Sequence, residues 1–278
     1  MIERVLVTTD FSTRSDRALR RAIMIAKTLD ASVSLVHVVD SDQPRYMIDA
    51  QVDASRSILN DTVQTIEEFD GVRASSNVVL QRAEEIDADL IVIGIHRRQL
   101  RDAFVGTTAE RTIAHSRRPV LMAAGVPSAP YVRALLALDF DADSRSTAQD
   151  VQESGIFGRA EIVVVHVFDA PAHGMMKRAM QEREAIDHYL ANEERRAEDE
   201  LRTLVAEVGL RSARRRLLPV NGTVASTVLE CGREEEVDVV VVGTSQRRGM
   251  ERLMVGNVAE DLLKHADRDV LVMPWRER

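Results

Sequence analysis

Two loops in this 278-residue chain combine the residue types that seat a phosphate. Gly94 is followed by Arg97, Arg98 and Arg101 and then by Gly106-Thr107, while Gly243 is followed by Arg247, Arg248 and Arg252 and then by Gly256-Asn257. Each loop leaves an apolar run, LIVIG or VVVVG, and enters a helical pattern. A buried strand, a basic glycine-flanked loop and a helix N-terminus together make an anion site of phosphate size. The arginines suit a bidentate phosphate clamp. They equally suit a solvated loop, with Asp102 and Glu251 as salt partners of little worth. Thr107-x-x-Glu110 and Asn257-x-x-Glu260 read as capping-box starts, and Asn caps a helix as well as Ser does.

Other chemistries find less support. Cys231 is the sole cysteine, which excludes an intramolecular disulfide framework and suits a small buried residue on a helix face. The histidines and Cys231 show no metal-ligand spacing. A Walker lysine, a nucleophile elbow and an HExxH pair are all missing from the sequence. A net charge of −8 argues against a general nucleic-acid binder. With 45% apolar and 29% charged residues, the chain has the composition of a soluble globular protein. No apolar run reaches the roughly 18 residues of a membrane span. The N-terminal MIERVLVTTD carries charges where a signal peptide would be apolar, so a cytoplasmic location without membrane contact is expected.

The elements that must position the loops come as two copies of one unit. ERVLVTTDFSTRSDRALRRA opens the first and VRALLALDFDADSRSTAQDV the second. Asp10 and Asp139 end apolar runs, and His37-Val38 and His166-Val167 follow each 27 residues later. The interval from Gly106 to Pro119 equals that from Gly256 to Asp269. The expected domains are residues 1–126 and 131–278, joined near GVPSAP. Val5–Thr9, Ser32–Val39 and Leu90–Ile93 read as strands of the first half, and Ala18, Leu19, Ala22, Ile23, Ala26 and Leu29 share one helical face. Ile48, Val52, Leu59, Val63 and Ile66 trace a further amphipathic helix, and Val78–Ile86 another. In the second half the strands are Arg133–Leu138, Glu161–Val167, Arg214–Val220, Val237–Val242 and Val270–Met273, with a long helix inside Met176–Val208. Alternation of this kind predicts α/β architecture with mostly parallel, doubly wound sheets. Ligands of such sheets sit beyond the carboxyl ends of the strands. Asp10, Val38 and Gly94 fall there in the first half, and Asp139, Val167 and Gly243 in the second.

From His37 to Gly94 is 57 residues, but from His166 to Gly243 is 77. Part of the difference falls in the second helix, and the rest removes the counterpart of Arg214–Gly222. The first half is therefore expected to have a shortened or missing third strand.

TTDFSTRSDRALRRA, LVHVVD, DLIVIG and the glycine-flanked loop, recurring in order over nearly the whole chain, resemble the universal stress protein family in a tandem arrangement. The resemblance implies two adenine nucleotide alpha hydrolase-like domains, each with a parallel five-stranded sheet of order 3-2-1-4-5. It implies that the last strands of the halves meet across a pseudo-twofold axis, an intramolecular pairing to which a further homodimer can be added. Some family members bind ATP or AMP, through Gly, two residues, Gly, nine residues, Gly and Ser or Thr; others bind no nucleotide and act through protein contacts. Carried over, the nucleotide residues are Asp139, Val167, Gly243, Gly256, Asn257 and Val258, and more weakly Asp10, Val38, Gly94, Gly106 and Thr107. His37 and His166 fall on a strand position where the family also shows His, and read as packed residues.

Both copies depart from the pattern. Gln246 and Arg97 stand where the second glycine belongs, Asn257 replaces Ser or Thr, and the first loop is one residue short. A side chain at 246 or 97 lies over the phosphate seat, and a left-handed backbone there adds roughly 1–2 kcal/mol. The sequence therefore leads to a non-catalytic, cytoplasmic stress-response protein with a degenerate site, no resident cofactor, and protein partners. Its alternative is an ATP or AMP sensor with the nucleotide in the second half.

Overall fold

In the computed structural model, which describes residues 1–9, 15–38, 46, 50, 63–69, 76–95, 107–168, 183–244 and 255–274, ten strands join one sheet. The first half supplies β1 (Arg4–Thr9), β2 (Ser32–Val38), β3 (Val63–Phe69), β4 (Leu90–Gly94) and β5 (Val120–Ala123). The second supplies β6 (Arg133–Ala137), β7 (Glu161–Phe168), β8 (Arg214–Pro219), β9 (Val239–Gly243) and β10 (Asp269–Met273). Across the sheet the order is β3-β2-β1-β4-β5-β10-β9-β6-β7-β8. Each half thus has the order 3-2-1-4-5. Neighbouring strands run parallel apart from β5 and β10, which meet antiparallel with Val270 opposite Met122 and Val272 opposite Val120.

The described helices are α1 (Ser15–Leu29), α2 (Ser76–Glu85), α3 (Thr108–His115), α4 (Ala142–Ser154), α5 (Arg183–Glu207), α6 (Val224–Glu234) and α7 (Asn257–His265). They cover both faces of the sheet, which is why the strands read as continuous apolar runs. Val239 and Val241 pack on the α1, α4 and α5 side, Val240 and Val242 on the side of α2, α3, α6 and α7. Each layer takes buried residues from both halves, so the core is continuous across the β5–β10 junction.

The expected loss of the third strand is corrected. β3 has seven residues and β8 has six, and β3 pairs with β2 along its length. The length difference lies earlier: 24 residues separate β2 from β3, whereas 45 separate β7 from β8. From third to fourth strand the halves differ by one residue, 20 against 19. Val63 and Ile66 suited a helix by spacing, but VQTIEEF is rich in β-branched and aromatic residues, and a short apolar run does not fix its own period.

Candidate functional site

The first and fourth strands of the second half, β6 and β9, lie side by side, and their chain crossovers leave in opposite directions. A crevice forms at such a switch point beyond the strand ends. Here it is a cavity of about 590 Å³. Asp139, Val167, Gly243, Gly256, Asn257 and Val258, the second-half residues singled out from sequence, all line it.

Local chemistry places each of them. Past β6, the Asp139 amide donates to Ser144 Oγ at 2.9 Å, and Asp139 Oδ1 accepts the Phe140 N–H at 2.8 Å. Asp141 is the N-cap of α4, accepting from the Ser144 amide at 2.7 Å, which leaves the Asp139 carboxylate exposed at the cavity. At the end of β7, His166 is buried, and its Nδ1 lies 3.0 Å from the Leu138 carbonyl oxygen. A carbonyl can only accept, so Nδ1 carries the hydrogen. The ring stacks on Phe140 with centroids 3.9 Å apart, and Nδ1 is 3.9 Å from Asp139 Oδ1. His166 is thus packed as expected, yet it also lines the cavity.

β9 delivers Gly243 and Thr244 to the floor, and the Thr244 amide donates to the Met273 carbonyl at 2.9 Å. Gly243 is a steric requirement: a Cβ there would lie 2.5 Å from Thr147 Oγ1 of α4. Opposite, α7 begins at Asn257 with Gly256 as its N-cap, at φ 87°, a conformation that favours glycine. The capping box expected of Asn257 and Glu260 does not form. The Glu260 amide donates to the Gly256 carbonyl at 2.9 Å, and no side chain caps the helix. The Glu260 carboxylate instead pairs with Lys264 at 2.6 Å. The first turn of α7 therefore presents amide hydrogens and the positive end of its dipole to the cavity.

In the first half, Gly94 ends β4, and Val38 is the last residue of β2, where only the backbone is described. Thr107 is a true N-cap, its Oγ1 accepting the Glu110 amide at 3.1 Å. Asp10, Gly106, Gln246 and the loop residues Arg97, Arg98, Arg101, Arg247, Arg248 and Arg252 lie outside the described residues.

Asp141, Asp143, Ser144 and Thr147 also line the cavity and were not anticipated. The signal was available: Thr147 stands eight residues after Asp139, where the first half has Ala18 after Asp10. The described lining otherwise consists of aliphatic walls, including Val165, Val228, Val242 and Val255, with three aspartates and no Lys or Arg. Cys231 is buried on α6, and burial pushes its thiol up to about 11, which fits a packing role. Among the described residues, no group of three or more His, Cys, Asp or Glu side chains is placed to hold a metal, and no helix is long and apolar enough to cross a membrane.

The universal stress protein family profile matches residues 1–124 and 130–274. A universal stress protein of Methanocaldococcus jannaschii is 30% identical over 120 residues, a match covering 41% of this chain and 65% of that protein. Among solved structures, a protein of unknown function from Pseudomonas aeruginosa PAO1 superposes with a TM-score of 0.70 at 20% identity, covering 99% of this chain and 93% of its own. A universal stress protein from Archaeoglobus fulgidus gives 0.63 at 16% identity, covering 99% and 97%. At these identities the superpositions speak for the fold.

Proposed function

Since the chain belongs to the universal stress protein family, with two tandem matches, we propose that it is a non-catalytic stress-response protein whose second half reversibly holds an adenine nucleotide. The first half then serves as its built-in pairing partner. One observation carries this reading: the six second-half residues matching the family's nucleotide positions converge on one cavity of about 590 Å³, a size that suits a small ligand. The uncapped start of α7 supplies amides for an anionic oxygen. The described walls supply apolar surface for a base.

The three carboxylates in the described lining, Asp139, Asp141 and Asp143, favour a nucleotide of low charge over a triphosphate. Adenosine monophosphate is the best match. A catalytic role lacks support in this lining: His166 commits Nδ1 to Leu138, and no described nucleophile sits against a base.

The test is titration of the full chain with AMP, ATP and adenosine by calorimetry, together with assay of adenine nucleotide released on denaturing a fresh preparation. Saturable binding with AMP ahead of ATP is expected. If none of the three binds, the second reading stands, in which the protein acts through contacts alone; the departures at Gln246 and Arg97 favour it.

A further inference from the structure

Four threonines in the described helices return their hydroxyls to the carbonyl four residues back. Thr28 bonds Met24 at 2.8 Å, Thr112 bonds Thr108 at 2.7 Å, Thr203 bonds Asp199 at 2.9 Å and Thr227 bonds Thr223 at 3.0 Å. Thr147, in the middle of α4, does not. Its residue is 6% exposed, its Oγ1 is turned toward Gly243, and it lines the second-half cavity. Among the described residues no hydrogen bond to that hydroxyl is found, and the hydroxyl opens on the cavity.

A local carbonyl bond of the kind its four counterparts make was open to it; the hydroxyl instead stays accessible from the cavity, where a ligand oxygen can reach it. The hydroxyl can lean into the cavity floor because Gly243 has no Cβ; any side chain there would meet Oγ1 at 2.5 Å. Opposite, the first turn of α7 has no side-chain cap. Two independent polar groups thus face the same space without a side-chain partner among the described residues. In the first half, Ala18 occupies the position of Thr147, and the helix corresponding to α7 is capped by Thr107.

We propose that Thr147 is a ligand-binding and specificity-determining residue of the second-half cavity. Its hydroxyl bonds an oxygen of the bound nucleotide, from the sugar or the phosphoryl group, that Ala18 cannot bond in the first half. The inference rests on the nucleotide reading given above and deepens it.

The experiment compares wild-type full-length chain with Thr147→Val, which keeps the shape and removes the hydroxyl, and Thr147→Ser, which keeps the hydroxyl. Each is titrated with AMP and with adenosine, and thermal melts verify folding. Thr147→Val is expected to weaken AMP binding about tenfold, the worth of one hydrogen bond inside a site, while Thr147→Ser stays close to wild type. A parallel loss with adenosine assigns the contact to the sugar; a loss with AMP alone assigns it to the phosphoryl group. Binding by Thr147→Val equal to wild type overturns the proposal and leaves the nucleotide reading intact, and so does a Ser variant as weak as the Val variant. A wild type that binds neither ligand overturns both.

Discussion

Arg21 and Asp269, from opposite halves of the chain, form a buried ion pair, with Nε 2.8 Å from Oδ2 and side chains 6% and 1% exposed. The geometry is that of a charge contact more than an aligned hydrogen bond, since Arg21 Nε makes none. Asp269 is otherwise well partnered: Tyr131 Oη donates to it at 2.7 Å and the Gly125 amide at 2.8 Å. Arg21 also donates to the Ala129 carbonyl at 2.8 Å and lies over the Tyr131 ring. Burial, followed by the charge of Asp269, raises the Tyr131 hydroxyl well above its ordinary pKa, so it remains a donor. The cluster ties α1, the connection between the halves and β10 together.

Breaking such a pair strands a charge, which costs about 3–5 kcal/mol. Asp269→Ala is therefore expected to lower stability by that order in urea unfolding. Arg21→Met combined with Asp269→Leu and Tyr131→Phe should recover much of the loss, because the stranded groups go with it. A cost below about 1 kcal/mol for Asp269→Ala, the range of exposed pairs, would show that the cluster holds nothing together.

Residues 1–126 expressed alone would carry Arg21 without Asp269 and β5 without β10. An open, apolar strand edge such as Val120–Ala123 recruits another strand. The fragment is expected to associate or aggregate, read by sedimentation velocity. A monodisperse monomer would contradict the role given to the β5–β10 junction.

Gly243 and Thr147 should behave as a coupled pair. Gly243→Ala places a Cβ 2.5 Å from Thr147 Oγ1, but 3.6 Å from Thr147 Cβ, an ordinary contact. Gly243→Ala alone is expected to cost about 1–3 kcal/mol as an overpacked site, and Thr147→Ala to suppress most of that cost. Additive effects in the double variant would mean that the clash is relieved some other way. Gly256→Val, at a φ of 87°, has no such suppressor and should abolish nucleotide binding.

The fold was readable because its signals are repetitive and local. Matched copies of most strands and of the loop glycines gave the architecture and, by type and spacing, five of the second-half residues that line the cavity; Val258 came by resemblance alone. What escaped was relational. Val63 and Ile66 suit a helix by spacing, and only the pairing with β2 reveals a strand. Asn257 has the right type for a cap, but α7 begins one residue too early for it to serve. Arg21 sits among Ala18, Leu19 and Ala22 on a buried face, where its charge is tolerable only because Asp269 arrives from the far end of the chain.

Acid sensitivity should centre on Asp267, between α7 and β10. Partial burial works upward on this carboxyl, but hydrogen bonds from Arg268 and Arg233, together with their charges, outweigh it and hold it at about 2, below the ordinary 3.8. Arg268 Nε and Arg233 Nε each lie 2.9 Å from it. A carboxyl depressed by folding stabilises the native state above its unfolded pKa, and that stabilisation disappears as pH falls through the folded value. The window is thus about pH 4 down to pH 2. With the side chain 43% exposed, solvent screening keeps the effect small, in the range of about 0.2–1 kcal/mol found for exposed pairs. Asp267→Asn is expected to be slightly less stable than wild type at neutral pH, and to lose less stability across that window, so that the two urea midpoints converge near pH 2. Parallel midpoint curves down to pH 2 would show that the two arginines do not favour the ionised carboxyl.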